Sequence, residues 1–386
     1  MKILKLIFKN TLRHKLRTFL TILGISVAVV AFGTLRTVVT AWYSGVKASS
    51  PNRLIVRQSV SFIFPLPLSY REKILQIPGV KEVTYANWFG GTYIDKNNFF
   101  ARLAIDASTY FDVYNEFILP KDQLDTFKKE RNTCVIGEEV AKKYNLKIGD
   151  IMTLSGDIYP GNWDFIVAGI YKPKLKSTDA MQMLFHWSYL NERMKQEMPA
   201  RANDVGWYIV LINDPAQSAN ISNQIDNLFK NSPNETKTET EAAFQQGFLQ
   251  SSSAIITSMN FISFVIIGII MLVLGNTMIM AARERTREYA VLKTLGFSGK
   301  NLSIIILGES LLVSIVGGTI GLLLTFPVVN GFAVFIPKGM FPIFQIEPVT
   351  IIFACSASLI IGVVAAIFPI HKALTLKIVD GIRFVG

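Results

Sequence analysis

Histidine, cysteine and charge are scarce in this chain: 386 residues hold three histidines, two cysteines and only 17% Asp, Glu, Lys and Arg. His14 and His371 lie in basic segments near the termini, leaving His186 alone in the long polar stretch, within Met183-Leu184-Phe185-His186-Trp187. A single histidine on an apolar strand reads as a hydrogen-bonded core residue. It supplies neither a metal ligand set nor an oriented nucleophile-base pair. Glu138-Glu139 reads as part of a solvated helix. Cys134 and Cys355 fall in a polar and an apolar stretch, which excludes a disulfide framework and makes Cys134 a small buried hydrophobe. The chain also lacks a Gly-x-x-x-x-Gly-Lys-Ser/Thr loop, because Gly296-Phe297-Ser298-Gly299-Lys300-Asn301 has neither the spacing nor the magnesium-binding hydroxyl. No catalytic, cofactor-binding or metal-binding residue is expected, and no nucleotide hydrolysis by this chain.

Apolar residues, by contrast, make up half the chain, and mean hydropathy is +0.36. Four runs, Phe19–Leu35, Ile255–Ala282, Leu302–Val329 and Thr350–Ile370, are long enough to cross a hydrocarbon layer of about 30 Å. The formal charge of +11 lies wholly in three short segments: residues 1–18, 283–300 and 371–386 hold six, five and three Lys/Arg against zero, two and one acids. The remaining chain is balanced, with 25 of each sign. Nucleic-acid binding would need a basic face on a soluble domain, and the large insert is neutral, so no nucleic-acid partner is expected. Basic residues beside spans mark the cytoplasmic side. The fold class expected is an α-helical membrane protein with four transmembrane helices and a large α+β extracytoplasmic domain inserted between helices 1 and 2, both termini being cytoplasmic.

The expected order is a cytoplasmic amphipathic helix (1–18), a first transmembrane helix (19–40), the extracytoplasmic domain (41–250), and a stalk with the second transmembrane helix (251–282). A cytoplasmic loop (283–301), a third helix (302–329), an external loop (330–349), a fourth helix (350–370) and a cytoplasmic tail (371–386) complete it. Ile3, Leu4, Ile7, Phe8, Leu12 and Leu16 share one arc of the first segment, while Lys5, Lys9, Arg13 and Arg17 recur at four-residue spacing. That pattern suits a helix lying in the lipid interface and leading into an uncleaved span; the alternative is a plain positively charged anchor. Arg36 and Trp42-Tyr43 would anchor the outer boundary.

In the insert, Leu54-Ile55-Val56, Phe165-Ile166-Val167-Ala168 and Tyr208-Ile209-Val210-Leu211-Ile212 read as strands, and Ile221, Ile225 and Leu228 as one helical face. Pro78-Gly79, Gly149-Asp150 and Pro160-Gly161 read as turns. The second apolar run would form a helix about 42 Å long, and Glu241–Ser253, free of proline, could extend it as a stalk.

Between the second and third runs, Arg283-Glu284-Arg285-Thr286-Arg287-Glu288 precedes an apolar pattern closed by Gly296, readable as a short surface helix or as a solvated turn. Glu309 lies about 10 Å into the third run. An acid at that depth is either a proton site or a structural group hydrogen-bonded to Asn276 or Ser310. Pro327 and Pro369 would kink or end their helices, and Gly317, Gly318 and Gly321 would let helices approach closely, within one chain or across a dimer.

The run from Gly275-Asn276-Thr277 through Arg283–Glu288, then Leu292-Lys293-Thr294-Leu295-Gly296 and Glu309-Ser310-Leu311, resembles the signature of MacB/FtsX-like permease subunits of ABC transporters. Arg17–Ile25, Ile77-Pro78-Gly79-Val80, Val135–Ala141 with Gly149-Asp150, and Pro369 to Arg383 are similar to other parts of that family, with Ile378 and Tyr289 as departures. The resemblance implies a bacterial inner-membrane permease without a fused ATPase, working as a homodimer with a separate ABC ATPase that holds ATP and Mg. A periplasmic adaptor, an outer-membrane channel and membrane lipids are further implied partners. Arg283, Glu284, Arg285, Thr286, Arg287, Glu288, Val291, Leu292, Leu295 and Gly296 would contact the ATPase, and Asn276 and Glu309 would be intramembrane polar residues. The implied function is export or extraction by mechanotransmission; the alternative is FtsX-like activation of an external cell-wall hydrolase, and a proton-driven carrier using Glu309 is a third reading.

Overall fold

A computed structural model describes residues 2–44, 46, 49–95, 99–175, 177–251, 253–335 and 344–377. Much of the expected external loop, and Ile378 to Arg383, lie outside the described residues. The chain divides into two units near residues 40 and 252.

The first unit holds four helices long and apolar enough to cross a membrane: Lys15–Trp42, Ser253–Glu284, Gly299–Phe335 and Pro348–Thr375. Each outruns its apolar stretch because a helix continues through polar residues once its hydrogen-bond ladder is started. The third starts where Ser298 Oγ accepts the Asn301 N–H at 3.3 Å. Pro327 and Pro369 lie inside their helices and end neither, contrary to one of the two outcomes expected of them. The inner core joins Ile25 and Val29 to Leu274 and Met278, Ile306 and Val313, and Ile361 and Ala365. Outward-facing Phe264 and Leu272 are 71% and 75% exposed, a surface that would carry a large hydrophobic penalty in water.

Small residues set the spacing within this bundle. A Cβ placed on Gly321 would sit 2.7 Å from Ser26 O and 2.7 Å from Val29 Cβ, so the first and third spans touch backbone to backbone. Ser26 Oγ donates to Gly317 O at 3.0 Å, and Ser310 Oγ donates to Gly362 O at 2.7 Å. The three glycines therefore serve contacts within the chain. Arg36 Nη1 donates to Asn260 Oδ1 at 3.1 Å and its guanidinium lies 5.4 Å from the centre of the Phe353 ring, tying three spans together where snorkelling was expected.

The N-terminal segment is two helices rather than one. Lys2–Thr11 ends before a turn at residues 12–14, and Lys15 begins the first span. Thr11 Oγ1 donates back to Ile7 O at 2.9 Å, and the Thr18 hydroxyl takes the Thr11 carbonyl. These side-chain bonds replace the ladder where it would otherwise run on. Ile7 is buried against Gly308 of the third span, while Phe8, Leu12 and Leu16 stay exposed.

The second unit is a mixed sheet of ten strands among the described residues. Its path runs Thr236–Thr240, Arg53–Gln58, Trp207–Ile212, Val80–Trp88, Ala101–Ile105, Gln182–His186, Thr133–Gly137, Gly161–Pro173, Phe117–Ile118, with Ile151–Gly156 also on Gly161–Pro173. Two pairs are parallel, Ala101–Ile105 with Gln182–His186 and Thr133–Gly137 with Gly161–Pro173. Both faces are covered, and the two-residue period sorts the side chains: Leu54, Val56, Cys134 and Ile136 enter one core, Ile55 and Val135 the other. Ile221 and Ile225 of helix Ser218–Leu228 are buried as expected, but Leu228 is 48% exposed. The helix ends there, and Phe229 takes the interior place, its ring stacked 3.8 Å from that of Tyr70. Helix Glu241–Ser251 follows the last strand. Ser252, between it and the second span, is outside the described residues.

Gly321→Val is expected to destabilise the protein by about 1–3 kcal/mol through overpacking. Gly331→Ala, with no atom within 4 Å of the added Cβ, is expected to change stability by less than about 0.5 kcal/mol. Thermal unfolding of the two purified variants in detergent measures the contrast.

Candidate functional site

The loop after the second span folds as helix Thr286–Thr294. Gly296 sits at φ +87°, its N–H donating to Lys293 O at 3.1 Å while Phe297 N–H donates to Leu292 O at 3.0 Å. This paired bonding closes a helix at a left-handed glycine, so the segment is a helix and not a solvated turn.

Its inward face is polar as well as apolar. Arg285, Thr286, Tyr289 and Ala290 are buried. Arg285 Nη1 donates to both carboxylate oxygens of Glu309, at 2.8 and 2.9 Å, and its Nε donates to Glu288 Oε2 at 3.0 Å. The guanidinium also lies 5.4 Å from the centre of the Tyr289 ring. Burial, the largest single effect, lowers the Arg285 pKa, but Glu309, Tyr289 and Glu288 together outweigh it and raise the pKa above the ordinary arginine value. Burial pushes the Tyr289 hydroxyl up to about 12.

Two expectations are corrected here. Glu309 is paired with Arg285, not with Asn276 or Ser310: Asn276 is exposed on the far side of the second span, and Ser310 spends its hydroxyl on Gly362 O. Arg285 and Thr286, expected to face an ATPase, face the interior of their own unit, because Glu309 needs a cation within reach and Arg285 stands at the mouth of its site. Glu309 is thus one half of a buried ion pair, in keeping with the structural role weighed for it.

The N-terminal segment closes over the same loop. Arg13 pairs with Glu288, Arg17 Nη2 donates to Glu284 at 2.6 and 2.7 Å, and His14 Nε2 lies 3.7 Å from Glu284. Partly exposed pairs such as these each contribute about 0–1 kcal/mol. Their consequence is positional: Arg13 and Arg17 turn from the lipid interface toward loop carboxylates. On the other flank, Lys293 Nζ donates to Leu374 O and Leu376 O at 3.1 and 2.7 Å, holding the carbonyls that end the fourth span.

The outward face is left open. Arg283, Glu284, Arg287, Val291, Leu295 and Gly296 are exposed; Glu288 and Leu292 are half-buried. Arg287, Val291 and Leu295 follow one another at four-residue spacing and so form one ridge, with Val291 45% and Leu295 71% exposed. The helix is therefore bonded to the third span, the fourth span and the N-terminal segment, and it offers a charged and apolar ridge outward.

The insert holds a comparable cluster. Arg53 donates from Nε to Glu241 Oε2 at 2.8 Å and pairs with Glu116 at 2.7 Å, its guanidinium 4.2 Å from the centre of the Tyr114 ring. The Ser50 N–H donates to the same Glu241 oxygen at 2.8 Å. Glu241 opens helix Glu241–Ser251, so this cluster roots that helix in the sheet. His186 is buried with Nε2 against Phe127 O, and burial lowers its pKa. Cys134 is buried. Among the described residues no group of three His, Cys, Asp or Glu could hold a metal ion.

Four helices long and apolar enough to cross a membrane, a folded domain after the first and a basic loop built as a clamped helix fit a membrane protein of the permease class. The family model described as MacB-like periplasmic core domain matches residues 18–228, and that described as FtsX-like permease C-terminal matches residues 260–378. The chain belongs to the MacB/FtsX-like family of ABC transporter permeases. It is 29% identical over 135 residues to the macrolide export ATP-binding/permease protein MacB of Bdellovibrio bacteriovorus, a match covering 35% of this chain and 20% of that one. It is 22% identical over 334 residues to an uncharacterized ABC transporter permease of Methanocaldococcus jannaschii, covering 82% of this chain and 81% of that one. The periplasmic region of MacB from Actinobacillus actinomycetemcomitans aligns with a TM-score of 0.39 at 16% identity, covering 53% of this chain and 95% of that one.

Arg285→Met leaves the Glu309 carboxylate buried without a counter-ion and is expected to cost about 3–5 kcal/mol. The double variant Arg285→Met/Glu309→Met is expected to recover most of that loss. Denaturant unfolding of the single and double variants in detergent tests the pair, and additive losses would show that the two side chains are not coupled.

Proposed function

We propose that the chain is the transmembrane permease subunit of an ABC transporter that couples ATP hydrolysis on a separate ATPase chain to movement of its α+β domain, driving export or extraction of a substrate by mechanotransmission. One observation carries the reading: the loop helix presents Arg287, Val291 and Leu295 outward while Arg285 and Lys293 bond it to the spans. A ridge of apolar anchors flanked by charge suits a preformed groove. A push on a helix bonded in this way moves the third and fourth spans with it. ATP and Mg belong to the partner. The N-terminal segment, whose Arg13 and Arg17 already hold the loop carboxylates, would take part in the same contact.

In this reading the basic segments place both termini and the loop at the cytoplasmic face of a bacterial inner membrane, with the α+β domain outside. Helix Glu241–Ser251 receives the movement at a point fixed to the sheet by Arg53 and Glu241. Two permease chains paired with two ATPases would form a homodimer, and a periplasmic adaptor and an outer-membrane channel are the partners an exporter would need. The same movement could serve activation of an external cell-wall hydrolase. Reconstitution separates the two roles: ATP-dependent release of substrate from proteoliposomes supports export, and stimulation of a hydrolase alone supports regulation.

Leu295→Asp is expected to lower ATP hydrolysis by the reconstituted permease and ATPase by about tenfold or more, in line with loss of one docking anchor of about 2 kcal/mol. The unfolding temperature of the permease should stay unchanged, since Leu295 is 71% exposed. An unaltered hydrolysis rate would overturn the docking assignment.

A further inference from the structure

Two neighbouring strands of the insert, Ala101–Ile105 and Gln182–His186, run parallel and stop level with each other, Ile105 opposite His186. The carboxyl ends of adjacent parallel strands leave a crevice that ligands of α/β sheets commonly use. Here the crevice is a cavity of about 210 Å³, walled by Tyr85, Asp106, Ser108, Lys128, Arg131, His186 and Ser188 among others.

Lys128 and Arg131 come to this cavity from the end of helix Lys121–Lys129 and the residues after it. Both side chains are exposed, and among the described residues neither makes an ion pair or a hydrogen bond, although the Arg131 charge acts on Glu192 and His186. Elsewhere in the insert Arg53, Arg57, Arg71 and Arg193 each hold a carboxylate. The Asp106 carboxylate in the wall is already engaged, accepting the Ser108 N–H at 3.0 Å, the Ser108 hydroxyl, and the Thr109 hydroxyl at 2.8 Å. Burial lowers the His186 pKa, and its Nε2 is occupied by Phe127 O. Ser188 stands in the first turn of the eleven-residue helix Trp187–Glu197, whose N-cap residue makes no side-chain cap. The start of a helix favours an anion through its dipole.

We infer that this cavity binds a phosphate group. A guanidinium fork, an ammonium and the Ser188 hydroxyl together offer more donors than the two oxygens of a carboxylate can use, and they match the three or four oxygens of a phosphate. The phosphate could belong to a small soluble molecule or to a phospholipid headgroup. The site is a property of the insert itself and does not rest on the coupling mechanism proposed above.

The test is calorimetric titration of the full-length chain in a phosphate-free maltoside detergent, with inorganic phosphate and with a water-soluble short-chain phosphatidic acid as the probes. Saturable one-site binding at millimolar concentration or below is expected. The Lys128→Gln/Arg131→Gln variant should bind at least about tenfold more weakly at an unchanged unfolding temperature, since both side chains are exposed. Phosphatidic acid binding more than about tenfold tighter than inorganic phosphate assigns the site to a lipid headgroup, and equal binding assigns it to soluble phosphates; either result upholds it. No saturable heat with either probe, or undiminished affinity in the double variant, overturns it.

Discussion

A carboxylate a few turns inside a membrane helix is costly in isolation, and Glu309 avoids that cost only because Arg285 reaches it with hydrogen bonds to both oxygens. The pair's value lies less in net stability than in direction, since desolvation offsets much of the attraction between buried ions. Arg285 stands immediately before helix Thr286–Thr294. Once its guanidinium is fixed in the bundle, the rotation of that helix is fixed as well: Tyr289 and Ala290 turn inward, and Arg287, Val291 and Leu295 turn outward. The outward ridge follows from the inward ion pair.

The insert uses the same arrangement at the start of helix Glu241–Ser251. There Arg53 bridges Glu116 and Glu241 beside Tyr114, as Arg285 bridges Glu309 and Glu288 beside Tyr289. Burial alone would lower the Arg53 pKa, yet its hydrogen bond to Glu116 and the charge of Glu241 raise it above the ordinary value, so the cation is held charged. In each case one arginine with two carboxylate partners ties a helix terminus to a packed layer. Planar, multidentate contacts resist rotation better than a single ammonium contact would.

Much of this was legible in the sequence because it rests on local periodicity. Hydropathy over twenty residues found the four spans; the short β-branched run Leu54-Ile55-Val56 found a strand; Gly296 marked a helix end through a conformation that other residues adopt at a cost. The partners of Glu309, Arg13 and Arg17 were not legible, because each pairing joins residues far apart in the chain, and charge sequence alone does not say which base meets which acid. Arg36 read as an interfacial anchor for the same reason: Asn260 and Phe353 are distant in sequence and near in the fold. Phe229 in place of Leu228 turned on where a helix stops, which periodicity does not fix.

An exposed leucine is ordinary on a protein surface, so the exposure of Leu295 would mean little by itself. Its setting gives it weight. The helix beneath it is closed by a glycine-specific cap, bonded at one end through Arg285 and near the other through Lys293, and its remaining faces are packed. Association costs the ordering of whatever is loose in the free protein, and the bonds at both ends of this helix limit that cost. A ridge held in this way presents Val291 and Leu295 in fixed register with Arg287, so apolar contact and charge reach a partner together. In the docking proposed above, rigidity made by an ion pair inside the bundle would turn two exposed aliphatic side chains into a docking surface, and a force applied there would act first on the third span through Glu309.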